Sequence, residues 1–172
     1  MKNANLGLRI KALLIDYLYI IVYLAELFGL AMAVYFWFFK GIPEFTQIQS
    51  QWIAFLTTVL PITVFFTIME AGKASATFGK KKVKLKVIYL NNPIMGSLIR
   101  NIFKFLPWQL GHMAVISGIY NGFESWYVII LYGLAILLPI VYIAMIAFRK
   151  DHRHIPDLLA ASFVTLNEKN LM

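Results

Sequence analysis

The side chains that could do chemistry in this chain are ionisable ones set inside or beside long apolar runs, where a charge needs a partner or a purpose. Arg9 and Asp16 are seven residues apart, so on one helix they fall within about 20° of the same face, two turns from each other. They are oriented together. Arg9 at the interface and Asp16 a little deeper could grip a common partner from another segment. They would then act as an anchor within a structural ion-pair network or as a polar site for passage of an ion or proton. Glu26 falls near the middle of the same apolar run, where an unpaired ionised side chain costs about 3 kcal/mol on insertion scales. It is expected to carry its proton or to meet a donor, and His112 is the titratable residue expected at that depth on another span. Such a pair suits a proton relay; as a plain hydrogen bond it would fix helix register.

Glu70 ends a second apolar run beside Gly72 and Lys73 and reads as an interfacial cap. Asp151, His152, Arg153, His154 and Asp157 follow the last run as a polar group. The two histidines lack the spacing of a closed zinc site, and Asp157 after Pro156 is placed to cap a short helix beginning at Leu158. The sequence carries no phosphate-binding glycine loop, nucleophile and base arrangement or metalloprotease motif. No enzyme activity, cofactor or metal is therefore expected.

The elements that must position these residues are membrane spans. Apolar residues make up 60% of the 172 positions, more than a soluble core needs, and they gather into runs whose backbone must satisfy its own hydrogen bonds in lipid. With no cysteine, a disulfide framework or thiolate site is impossible. Spans are expected over approximately 13–39, 52–69, 102–120 and 126–148. The first would be about 40 Å long as a helix, so it must tilt or protrude, and its Ala31-Met32-Ala33 is expected to stay uncleaved. Pro61 and Pro139 interrupt the second and last runs, where a missing backbone donor kinks a helix or leaves a carbonyl for another group.

The stretch 102–120 is only weakly apolar, and charge arithmetic decides it. Lys2, Arg9 and Lys11 precede the first run, and Lys73, Lys80, Lys81, Lys82, Lys84, Lys86, Arg100 and Lys104 lie between the second and third. Arg149, Lys150, Arg153 and Lys169 follow the last, whereas 41–51 has neither Lys nor Arg and 121–125 has only Glu124. If positive segments stay inside, the chain crosses four times. The expectation is an all-α, four-helix transmembrane bundle, one domain over 1–172, in the cell membrane with both termini cytoplasmic. Ala114, Gly118 and Gly122 in the third span have the spacing for close helix approach. The net charge of +8 then reports topology and attraction to anionic phospholipid; nucleic acid is excluded because the aromatics sit inside the spans, away from the basic residues.

The central loop is patterned. Val83, Leu85 and Val87 alternate with Lys84 and Lys86, and Asn91-Asn92-Pro93 signals a turn, so a short strand is expected at the cytoplasmic surface, with 163–166 as its best partner.

Several separated pieces resemble the RDD family of membrane proteins, named for an Arg and two Asp residues. Leu8-Arg9, Ala12 and Ile15-Asp16 look like its opening motif. Glu70-Ala71-Gly72, Ala76-Thr77-Phe78-Gly79-Lys80 and Leu85-Lys86-Val87 look like its central loop. Ser97-Leu98-Ile99-Arg100-Asn101 resembles its next helix start, and Pro156-Asp157-Leu158-Leu159-Ala160 its closing motif. The resemblance implies Arg9 for the Arg and Asp16 and Asp157 for the two Asp residues, with Glu70, Thr77, Gly79 and Arg100 in support, all in one cytoplasmic polar cluster. Pro156 stands where the family often has His, and Ala161-Ser162 where it usually has Gly-Thr.

Two functions fit these residues. The first is small-ion transport, such as cation/proton exchange, with Asp16 and Glu26 as carriers and the cytoplasmic cluster as a gate; so small a protein would work as a homo-oligomer. The second is a non-catalytic membrane adaptor or assembly factor, in which the polar set fixes the fold while Lys80, Lys81, Lys82, Lys84 and Lys86 dock anionic lipid or a membrane protein partner.

Overall fold

A computed structural model describes residues 4–167, so Lys2 and Lys169 of the charge arithmetic lie outside the described residues. Helix α1, Leu6–Phe38, starts where the Asn5 side chain accepts from the Leu8 amide at 3.0 Å. A second rod is built from α2, Gln47–Ala54, a π-helical turn, Phe55–Val59, and α3, Leu60–Ala71. Thr46 and Gln49 form a reciprocal capping box at its start. Then come α4, Phe78–Lys82; strand β1, Leu85–Tyr89; α5, Pro93–Asn121; α6, Trp126–Phe148; α7, Ile155–Leu159; and strand β2, Ser162–Leu166.

Among the described residues three helical rods, not the expected four, are long and apolar enough to cross a membrane: Leu6–Phe38, Gln47–Ala71 and Trp126–Phe148. Helix α5 has the length but carries Arg100, Lys104, Gln109 and His112, which dilute its apolar character. It runs antiparallel along the whole second rod. At one end Ser97 Oγ donates to the Thr67 carbonyl at 2.9 Å; at the other, Asn121 Nδ2 donates to Gln47 Oε1 at 2.9 Å and Gln47 Nε2 to Ser117 Oγ at 3.2 Å. Of the small residues on α5, Ala114 is fully buried, while Gly118 makes room for the Phe123 ring of the following turn.

Prolines explain how the rods are tied together. Pro61 has no N–H for the Thr57 carbonyl four residues back, and the Tyr23 hydroxyl of α1 donates to that carbonyl at 2.5 Å. Pro107 likewise frees the Phe103 carbonyl, and the Tyr142 hydroxyl of α6 donates to it at 3.0 Å. The expected disturbance at Pro61 is the π turn just before it.

The strand expected in the central loop is β1, and it pairs antiparallel with β2 in the register Leu85↔Leu166, Val87↔Val164 and Tyr89↔Ser162. Leu85 and Val87 turn inward with Val164 against Ala4 and Ala12 of the α1 start. Ile20, Val59, Ile62, Phe66 and Phe105 form a second core deeper along the helices. The polar residues lie between the two.

Candidate functional site: a buried ionic chain beside a cavity

Four chain segments bring charge to one end of the bundle: the start of α1, the end of α3 with α4, the start of α5, and α7. Arg100 occupies the centre. Its Nη1 lies 2.8 and 2.7 Å from the two oxygens of Glu70, and its Nε lies 2.8 Å from Asp157 Oδ1. Asp157 Oδ2 receives Arg9 Nη2 at 2.8 Å, and Arg9 Nη1 also donates to the His152 carbonyl. Glu70 Oε1 receives Lys80 Nζ at 2.7 Å, while Tyr89 Oη and Asn101 Nδ2 donate to Oε2 at 3.1 and 3.2 Å. Asp16 accepts from Thr77 Oγ1 at 2.6 Å and from the Gly79 amide at 2.7 Å, holding the first turn of α4 against α1. Lys80 Nζ reaches Thr77 Oγ1 at 3.5 Å and closes the chain from Asp16 to Arg9. Glu70, Thr77, Asn101 and Asp157 are wholly inaccessible to solvent.

Local sequence makes this approach feasible. A Cβ on Gly79 would stand 2.0 Å from the Ala12 carbonyl oxygen, so only glycine lets α4 lie this close to α1. His154 stands before α7 with Nδ1 2.7 Å from Asp157 Oδ2, while its backbone N–H points to the same oxygen at 3.5 Å. Asp157 is thus inside the first turn of α7, and His154 precedes it; the expected cap of a helix beginning at Leu158 is corrected by one turn. Burial would raise the Asp157 carboxyl, but Arg100, His154 and Arg9 together hold it well below its ordinary range. Burial lowers His154, despite the neighbouring Asp157 carboxylate. Burial, then the charge of Glu70, raises the Tyr89 phenol and keeps it a donor.

Arg9, Asp16, Glu70, Thr77, Arg100 and Asp157 are therefore brought together. Glu26 and His112 are not. Glu26 is exposed on α1 with no hydrogen bond or ion pair among the described residues, and His112 lies 3.4 Å from Thr58 Oγ1 with its ring beside Trp108. Lys80 also departs from expectation: it is buried in the ionic chain, whereas Lys81, Lys82 and Lys84 are exposed and Lys86 half-buried. Sequence reasoning missed Lys104, one helical turn after Arg100, whose Nζ lies 4.4 Å from the Phe66 ring centre and 5.0 Å from that of Phe105. The i,i+4 spacing from Arg100 was the available signal. Among the described residues no group of three His, Cys, Asp or Glu side chains could hold a metal ion.

Beside the ionic chain lies a cavity of about 300 Å³. Arg9, Asp16, Lys80, Arg100 and Lys104 line its polar end; Leu13, Ile20, Phe66, Trp108 and Ile146 line its apolar remainder.

A family model described as RDD family matches residues 3–161. The chain belongs to the RDD family. Comparison with curated proteins and with solved structures returns no match. In this RDD protein the Arg and the two Asp residues have separate tasks: Asp16 fixes α4, Asp157 fixes α7, and Arg9 meets only the second of them. Arg100 and Glu70 join the two halves. The departure at Ala161 has a conformational reading, because its φ of 45° lies in the left-handed region where the glycine usual in the family carries no strain.

Proposed function

We propose that this RDD protein is a non-catalytic, four-crossing protein of the cell membrane, with both termini at the cytoplasmic face, that holds anionic phospholipid on a basic platform. The fourth crossing rests on the hydrogen bonds that tie α5 to both ends of the second rod, together with the bias of positive charge to one end. The observation carrying the lipid reading is the division of labour among adjacent lysines. Lys80 is anchored on Glu70, so α4 lies fixed with Lys81 and Lys82 exposed beside the partly exposed Phe78 ring. Each such lysine near an anionic surface contributes about 1 kcal/mol. Native mass spectrometry with headgroup analysis after mild detergent extraction tests it. Enrichment of anionic phospholipid in the wild type, lost in Lys81→Glu, Lys82→Glu, is expected; equal lipid content in both overturns the reading.

The pairing of the carboxylates argues against cation carriage as the first reading, because Asp16, Glu70 and Asp157 are each committed to donors within the fold. Cation/proton exchange keeps two observations in its favour: Asp16 lines the cavity, and Glu26 stands without a partner among the described residues on an apolar helix. Proteoliposomes loaded with a pH-sensitive dye decide between the two. Cation-dependent proton flux that Glu26→Gln abolishes would establish exchange, and its absence would leave the binding reading alone.

A further inference from the structure

Three carboxylates and three cations balance within the ionic chain: Asp16, Glu70 and Asp157 against Arg9, Lys80 and Arg100. Lys104 is a fourth basic residue at this end of the bundle. Among the described residues it has no carboxylate within ion-pair distance, only the faces of Phe66 and Phe105, and it lines the cavity. A basic side chain outside that balanced set is thus presented to a space whose other walls are largely apolar.

The shape of that space matches one kind of occupant. Its polar end is level with Arg9 and Arg100, near the end of the bundle, and its apolar part runs inward past Ile20 and Trp108 to Pro139 of α6. A phospholipid in the adjoining leaflet has the same polarity, headgroup outward and acyl chain toward the bilayer centre. The cavity is also reachable from the side. Helix α1 packs on the remainder mainly through α4, and Ile10, Tyr17 and Ile143 both line the cavity and are exposed on the outer face of the helices. The volume lies at the lower end of the range of about 300–1,000 Å³ typical of small-molecule sites, enough for one chain and not a whole lipid.

We infer that the cavity between α1 and α6 binds an anionic phospholipid, its headgroup paired with Lys104 and one acyl chain lying against Leu13, Ile20 and Trp108. This site is separate from the Lys81 and Lys82 platform, although it rests on the reading above that this end of the bundle lies at a membrane surface.

Trp108 supplies the probe. Trp37, Trp52 and Trp126 are exposed, and their replacement by Phe leaves Trp108 as the single indole of the full chain. In detergent, free of bulk lipid, this protein is titrated with phosphatidylglycerol or phosphatidylcholine brominated on the acyl chains. Saturable quenching by the anionic phosphatidylglycerol is expected, with at least about fivefold weaker apparent affinity after Lys104→Met, the change that corresponds to about 1 kcal/mol per cation. Lys104→Arg should restore it, which guards against a folding defect in the Met variant. No quenching, equal quenching by the two lipids, or wild-type affinity in a folded Lys104→Met variant would overturn the inference. Competition by inorganic phosphate at concentrations comparable to the lipid would also overturn it, by assigning Lys104 to a free anion. Quenching that survives Lys81→Glu, Lys82→Glu keeps this site standing even if the surface platform fails.

Discussion

Arg100 binds Glu70 and Asp157 at once, through Nη1 and Nε, so a single guanidinium joins the end of α3 to α7. Both carboxylates are sealed from solvent, and removing their shared partner strands two buried charges. Arg100→Met is expected to cost at least about 3–5 kcal/mol in equilibrium unfolding from detergent micelles. Arg100→Lys should recover only part of this, since a point charge cannot reproduce the fork. A loss below about 1 kcal/mol for Arg100→Met would contradict the central role given to it.

The tyrosine contacts to proline-freed carbonyls give a conditional prediction. Tyr142→Phe should destabilise by about 0.6–1.7 kcal/mol, the range for hydrogen bonds between membrane helices. In a Pro107→Ala background, a backbone N–H becomes available to the Phe103 carbonyl, and the same substitution should cost less. A double-mutant cycle with no coupling would show that the tyrosine does not replace the missing amide.

Two backbone positions should respond in opposite directions. Ala161→Gly relieves a left-handed conformation and should stabilise by about 1 kcal/mol. Gly79→Ala forces α4 off the Ala12 carbonyl and should lower the unfolding temperature, whereas Gly133→Ala, with open space around it, should not. Thermal unfolding followed by circular dichroism distinguishes the three.

Acid should act first through His154. Because burial depresses its folded pKa, the unfolded chain takes up a proton near the ordinary value of 6.5 while the folded chain does not. Stability is therefore intact above that value and falls as pH drops below it, by at most about 1.4 kcal/mol per pH unit. Asp157 has the carboxylate pattern: its contribution is complete above its ordinary 3.8 and is lost only as pH falls toward its much lower folded value. Denaturant midpoints between pH 7 and 4.5 should decline in the wild type and stay flatter in His154→Gln.

The parts of this architecture legible in the sequence are those encoded by period or by motif. Alternation at Leu85 and Val87 revealed β1, and the apolar match at Phe163 to Leu166 revealed its partner. The spaced motifs carrying Arg9, Asp16 and Asp157 revealed the ionic chain. Helix limits were less legible, because α1 and α5 continue well beyond their apolar stretches, to Leu6 and Pro93, under the control of Asn5 and Asn92 caps. The Glu26 and His112 pairing failed because equal depth does not fix rotation about the helix axis: Glu26 faces outward. Lys80 could not be told from Lys81 and Lys82 by composition; a helical rotation of about 100° per residue separates a buried partner of Glu70 from exposed neighbours.

Pairing of β2 with β1 also imposes an order of assembly. Translation delivers α7 and β2 after α1, the second rod, α5 and α6, yet Arg9 and Arg100 both depend on Asp157. Until the tail leaves the ribosome, two guanidiniums wait without one of their counter-charges. Completion of the basic end is consequently a post-insertion event, and a chain ended before Ile155 would reach the bilayer with its helices made and its polar end unfinished.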